Sequence, residues 1–130
     1  MIDDIGGTTS QIVRLALDAS LLRHEVISNN IANANTEGYQ PQTVKFEELL
    51  IGIERDRSVT ADHALRVQLE EAKHSVEGGE IVESATEKKV ELDVEMTKMT
   101  ENVIRYRALL EGLSKRGSII NMAITQQGSR

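Results

Sequence analysis

A chain of 130 residues with one Phe, two Tyr and no Trp has few large groups around which to close a globular centre, so a compact enzyme core is not expected. A charged fraction of 28% beside a hydrophobic fraction of 39% suits long amphipathic helices, while a net charge of -6, with no basic cluster free of acids, excludes a phosphate-tracking nucleic-acid binder. The absence of cysteine removes disulfides, thiolate metal sites and thiol nucleophiles.

The first residues, Met1-Ile2-Asp3-Asp4-Ile5-Gly6-Gly7, lack the basic start and apolar run of a secretory signal. No stretch approaches the ~18 apolar residues of a membrane span. By these ordinary rules the chain would stay in the cytoplasm. From about residue 9 to residue 34, Ile12, Leu15, Ala19, Leu22 and Val26 alternate spacings of three and four, the period of a narrow helical seam. Thr8, Thr9 or Ser10 is expected to cap this helix after the mobile pair Gly6-Gly7.

The seam breaks at Asn29, where four Asn fall within seven residues: Asn29, Asn30, Asn33 and Asn35. Amide side chains compete with the backbone for hydrogen bonds and suit helix ends, and such clusters are commonly only caps and turns. This number exceeds what one cap requires. Ala32 and Ala34 are small enough for another helix to come close, so the amides are expected to bond across a subunit contact and fix its register. Gly38 supplies a position where the backbone can turn left-handed. Asn29, Asn30, Ala32, Asn33, Asn35, Thr36, Gly38 and Tyr39 therefore form a candidate assembly site.

Residues 40–89 read as a polar, largely irregular middle with poor periodicity, one Pro and a Gly78-Gly79 pair. Pro41 disfavours helix at Gln40, so the chain should leave the turn extended. Val44, Phe46, Leu49, Leu50, Ile51 and Ile53 make the one apolar patch and are expected to fold back on the helices. Residues 75–86 read as a flexible loop.

A second seam follows: Leu92, Met96, Met99, Val103, Tyr106, Leu110, Leu113, Gly117, Ile120 and Ile124. It predicts a helix from about Asp93, as N-cap, to Gln126, on the order of 50 Å long at ~1.5 Å per residue. Such a helix cannot bury its stripe against itself, and the partner within the chain is the first seam. The expected fold is mainly α, with the long N- and C-terminal helices pairing as an antiparallel coiled coil. Residues 1–39 carry the first helix and the turn, 40–89 a variable middle and 90–130 the second helix, with one structural domain formed by both ends.

Candidate chemistry is sparse. Glu70 and His74 stand one helical turn apart, but two ligands without a third read as a surface pair. Gly112-Leu113-Ser114-Lys115-Arg116-Gly117-Ser118 has glycine spacing like a phosphate loop, lacks the following Lys and lies within the second seam. Met96, Met99 and Met122 read as seam residues in place of a promiscuous groove. No Gly-x-Ser-x-Gly elbow occurs. No catalytic residue, metal site or cofactor is expected, and the chain reads as a non-enzyme.

The run Ala32-Asn33-Ala34-Asn35-Thr36-Glu37-Gly38-Tyr39 closely resembles the Ala-Asn-x-x-Thr-x-Gly-Tyr signature of bacterial flagellar rod and hook proteins. Val90-Glu91-Leu92-Asp93-Val94-Glu95-Met96, followed by Asn102, Tyr106 and Ile119-Ile120, resembles the C-terminal pattern of the flagellar basal-body rod family. Glu87-Lys88-Lys89 departs from it. The short length and Arg105-Tyr106-Arg107 are most like the proximal rod type, with the neighbouring rod type of similar size as the alternative. The resemblance implies a structural subunit of the rod, the drive shaft that carries torque from the motor to hook and filament across the periplasm. It implies export through the flagellar type III apparatus without a cleaved signal, with other rod subunits and basal-body base components as partners, and neither nucleic acid nor membrane insertion. A cytoplasmic helical adaptor or chaperone, holding a partner helix with the same seams, is the rival class.

Overall fold

The computed structural model describes residues 2–56, 62–86 and 88–128. In chain order these form α1 (Ile2–Ala32), β1 (Gln42–Val44), α2 (Phe46–Asp56), α3 (Asp62–Glu77), β2 (Val82–Ser84) and α4 (Leu92–Gly128). The molecule is mainly helical, and α1 packs along α4. Two hydrogen bonds fix the direction of that pairing: Asn30 near the end of α1 meets Glu95 near the start of α4, and Asn102, further along α4, meets Ser20, earlier in α1. The pair is antiparallel, as expected, but the faces that meet are not the two apolar seams read from the sequence.

Both long helices begin earlier than expected. α1 runs through Gly6-Gly7 and Thr8 to Ser10, so none of those hydroxyls is the N-cap. At α4 the Glu91 carbonyl accepts from the Glu95 N–H at 3.0 Å, which puts the boundary just ahead of Asp93. The segment 112–118 lies wholly inside α4, and a Cβ at Gly112 or Gly117 would meet nothing within 4 Å.

The middle holds more regular structure than its composition suggests. β1 and β2 pair antiparallel with Gln42 opposite Ser84 and Val44 opposite Val82, and the helical hairpin α2–α3 is inserted between them. Pro41 sits just ahead of β1, where its missing N–H is not needed and its carbonyl still accepts from Ala85 N at 2.8 Å. On α3, Leu65, Leu69, Ala72 and Val76 recur at four, three and four residues, a helical stripe legible in the sequence. α3 reaches Glu77 and ends where Gly79 takes φ 71°: Glu80 N bonds Ser75 O at 3.0 Å and Gly79 N bonds Val76 O at 3.2 Å, the paired bonds of a Schellman stop. The residues expected to be a loop from 75 onward thus finish a helix, turn, and enter β2.

These elements explain why α1 is buried on two sides. Leu15, Ala19 and Val26 pack with Val44, Phe46, Leu69, Ala72 and Val76, with Ile12, Leu22, Leu49, Leu50 and Ile53 around them. The seam read from the sequence of α1 therefore faces the middle segment. Leu17, Ser20 and Ile27 are also buried but lie outside that cluster, on the helix face that Ser20 turns to Asn102. With the half-buried Val13 and Ile31 they form a second seam, and this one faces α4.

Candidate assembly site

α1 ends at the Asn-rich turn, whose side chains divide into inward and outward sets. Asn30, 1% exposed, is the inward hub. Its Nδ2 donates to the Gln42 carbonyl at 2.8 Å and to Glu95 Oε2 at 3.1 Å, while its Oδ1 accepts from Tyr39 Oη at 2.8 Å and from Gln42 N at 2.9 Å. Two donors and two lone pairs are thereby all used within one subunit, leaving this amide no capacity to bond across a contact. One side chain ties together the end of α1, the turn, β1 and α4. Burial pushes the Tyr39 hydroxyl above its ordinary value, with the Glu95 charge adding to the effect, so it remains a donor.

Asn33 caps locally. Its Nδ2 and its backbone N both reach the Asn29 carbonyl, at 2.8 and 3.1 Å, and its Oδ1 accepts from Thr36 Oγ1 at 3.2 Å. Thr36 N then bonds Asn33 O and Tyr39 N bonds Thr36 O, closing two successive turns with Gly38 at φ 77° in the second. Asn29, Ala32, Asn35, Thr36 and Gly38 face outward. A Cβ at Gly38 would meet nothing within 4 Å, so any penalty for substitution there comes from the backbone alone. Gly38→Val is expected to lower the unfolding free energy by about 1–3 kcal/mol, whereas Gly38→Asn, which tolerates the left-handed region, should cost well under ~1 kcal/mol. Equal urea midpoints for the two variants would refute a strain-only role.

Two residues that the apolar seam did not single out, although both stand in the C-terminal resemblance, complete the site. Glu95 is 5% exposed and its charge is met by the Asn30 amide and by Lys98 Nζ at 3.1 Å. Glu95 and Asn102, seven residues apart, share one face of α4 and are its buried positions among the described residues. With the half-buried Met99, Tyr106, Leu109, Leu113 and Arg116 they alternate spacings of four and three, so the seam that meets α1 is displaced around the helix from the apolar one. Met99, Val103, Tyr106 and Leu113 of the expected seam are half-buried, whereas Met96 (58%) and Leu110 (46%) are exposed. The side chains of Ile120 and Ile124 lie outside the described residues. The physical reason is that α1 offers the Asn30 amide and the Ser20 carbonyl at this contact, and polar partners on α4 satisfy them. An apolar pattern cannot register such a match, although Glu and Asn at heptad spacing was its visible trace.

Beside the hub, Arg23 Nη2 grips both Glu47 oxygens at 2.8 and 2.9 Å and donates to the Val44 carbonyl at 3.3 Å, while Arg105 approaches Glu47 at 3.7 Å. α1, α2 and α4 meet in this triad. Burial is the largest single influence on the Glu47 carboxyl and pushes it up, but its own backbone N–H at the start of α2, Arg23 and Arg105 together hold it below the ordinary 4.5. A depressed acid stabilises the fold fully above pH 4.5 and loses that contribution as the pH falls through the lowered value. The stability difference between wild type and Glu47→Gln should therefore shrink from about pH 7 to about pH 3; a constant difference would show that the triad does not act through charge. At the hairpin, Lys45 is raised chiefly by its bond to Glu83, 2.6 Å away, and by Glu48.

Glu70 and His74 are both exposed on α3, and no group of three metal-binding side chains occurs among the described residues. No helix among them is long and apolar enough to cross a membrane.

Comparison with known proteins lands on the same segment. The family described as "Flagella basal body rod protein" matches residues 14–40, from within α1 through the signature turn to the residue before Pro41. The flagellar basal body rod protein FlgB of Bacillus subtilis is 27% identical over 125 residues, covering 90% of this chain and 93% of that protein. Both matches are to flagellar basal-body rod proteins, and the relative is of the FlgB type. The matched span contains the hub Asn30 and both of its companions in the turn, Asn33 and Tyr39. No solved structure matches the chain. The family so described is one of structural rod components.

Proposed function

We propose that the chain is a structural subunit of the proximal flagellar rod, assembling helically with other rod components into the shaft that carries torque from the motor to the hook and filament. The observation that carries this reading is the Asn30 hub inside the span shared with the rod family: it holds the signature turn rigidly against both long helices. The outward side chains Asn29, Ala32, Asn35 and Thr36 are then presented in a fixed geometry, as a register-setting contact requires. α4 leaves Leu92, Met96, Ile104, Leu110, Ile119 and Met122 exposed, more apolar surface than one subunit needs on a solvated helix. Head-to-tail contacts of this kind do not close on themselves, which suits a shaft.

In this reading the chain is exported by the flagellar type III apparatus with its N-terminus intact and works in the periplasmic part of the basal body. Deleting the gene and restoring it with a tagged chain tests the proposal. Purified basal bodies should contain the full-length protein at their proximal rod, and cells without it should export no hook. Normal rods in the deletion strain, or recovery of the chain solely from the cytoplasm bound to another protein, would instead favour an adaptor.

A further inference from the structure

The pair of long helices has one flank that the middle segment covers and one that it leaves open. Val44 and Glu47 close the first over Arg23, Lys98, Glu101 and Arg105, which line a cavity with them. On α4, Leu92, Met96, Val103 and Leu110 recur at four, seven and seven residues on the other side of the α1-facing positions Glu95, Met99, Asn102 and Tyr106, and all but the half-buried Val103 are exposed. On α1, Leu21 stands one turn beyond Leu17 on that same open side and is 54% exposed. The contact with α1 thus takes one edge of the apolar seam of α4 and leaves the other uncovered.

Charge is unequally placed along the open flank. The bonds of Asn30 to Glu95 and of Asn102 to Ser20 set Glu25 and Asp93 toward its Met96 end, and Arg14 and Arg107 toward its Leu110 end. All four are exposed, and none makes an ion pair among the described residues. A second copy laid alongside in the same direction would set acids over acids. Turned end for end, it sets the acidic end over the basic one.

We propose that the free chain pairs with a second copy of itself across this flank, the two helix pairs running antiparallel about a twofold axis at Leu21. Leu21 then meets its own equivalent, Met96 meets Leu110 of the other copy, and Asp18 falls opposite His24. The stripe from Leu92 to Leu110 is about 27 Å long, and two helices abreast make a face of roughly 500 Å², so the pair buries about 1,000 Å² in all, the lower end of specific interfaces. Such a contact is reversible. Because a twofold contact closes on itself and a shaft needs contacts that do not, pairing and assembly use this stripe in turn and exclude each other. Only that consequence rests on the rod-subunit reading.

The test uses the purified full-length chain. Sedimentation equilibrium should show monomer and dimer alone, with a dissociation constant of about 1–100 μM, and Leu21→Glu should be monomeric with an unchanged circular dichroism spectrum. Since the chain has no cysteine, Leu21→Cys puts a single thiol per copy at the axis. Under mild oxidation it should form a disulfide-linked dimer at least tenfold faster than Ile104→Cys, an exposed position half a turn away from the α1-facing side of α4. Equal rates for the two overturn the proposal. So does growth beyond the dimer with concentration, which means an open-ended contact, and so does a wild-type chain still monomeric at about 100 μM, its flank covered solely by other rod subunits. A chain that dimerises in this way but never enters basal bodies would remove the rod reading and leave the dimer standing; one that enters them but shows no pairing removes the dimer alone.

Discussion

Asn30→Leu is expected to destabilise the subunit by about 3–5 kcal/mol, a large part of the ~5–15 kcal/mol that holds a small domain folded. The substitution removes four hydrogen bonds at one buried point and strands the Gln42 N–H and carbonyl, the Tyr39 hydroxyl and the Glu95 carboxylate. The last of these matters most, because a buried charge would keep only Lys98. Asn33→Leu is the matched control: it removes a cap on the Asn29 carbonyl that the backbone N–H of residue 33 still serves, and should cost about 1 kcal/mol or less. Replacing Asn30 and Glu95 together by Leu should cost less than the sum of the single changes by roughly 1–3 kcal/mol, since the double variant no longer strands the carboxylate. Urea denaturation of the purified chain measures all of these. Equal effects of Asn30→Leu and Asn33→Leu would remove the hub from the account of the turn.

Phe46→Ala is expected to cost about 3–5 kcal/mol, through lost burial and the cavity left behind. Phe46 is the only Phe, opens α2, and is buried in the cluster that joins α1 to the hairpin and α3. Ile51→Ala on the same helix should stay within ~0.5 kcal/mol, because Ile51 is 48% exposed. Hydrogen exchange would show where the loss falls. Protection in α2 and α3 should drop first, while amides around the α1–α4 contact at Glu95 and Asn102 stay protected, as those bonds lie outside the cluster. Uniform loss over all four helices would mean that the middle segment and the helix pair unfold as one unit.

The sequence by itself determined the long terminal helices, their mutual pairing, the extended exit at Pro41 and the return of Val44 and Phe46 to the core, because each follows from a local rule: helical period, a restricted dihedral, or an apolar patch that must leave water. The helical hairpin was also present in the sequence, in Leu65, Leu69, Ala72 and Val76, but its stripe is short and set in a polar segment, so its weight became visible only against α1. Tertiary structure alone decided which face of each long helix meets which partner. Once the middle segment covers Leu15, Ala19 and Val26, α1 must meet α4 with another face, the one carrying Ser20 and Ile27. The pairing of polar with polar there, Asn30 with Glu95 and Ser20 with Asn102, depends on two side chains 65 and 82 residues distant from their partners arriving at hydrogen-bonding distance. No local pattern encodes that meeting. For the same reason the one Asn of the signature that is fully enclosed could not be told from its three neighbours by composition, since burial, and with it the cost of every unmade bond, is a property of the folded chain.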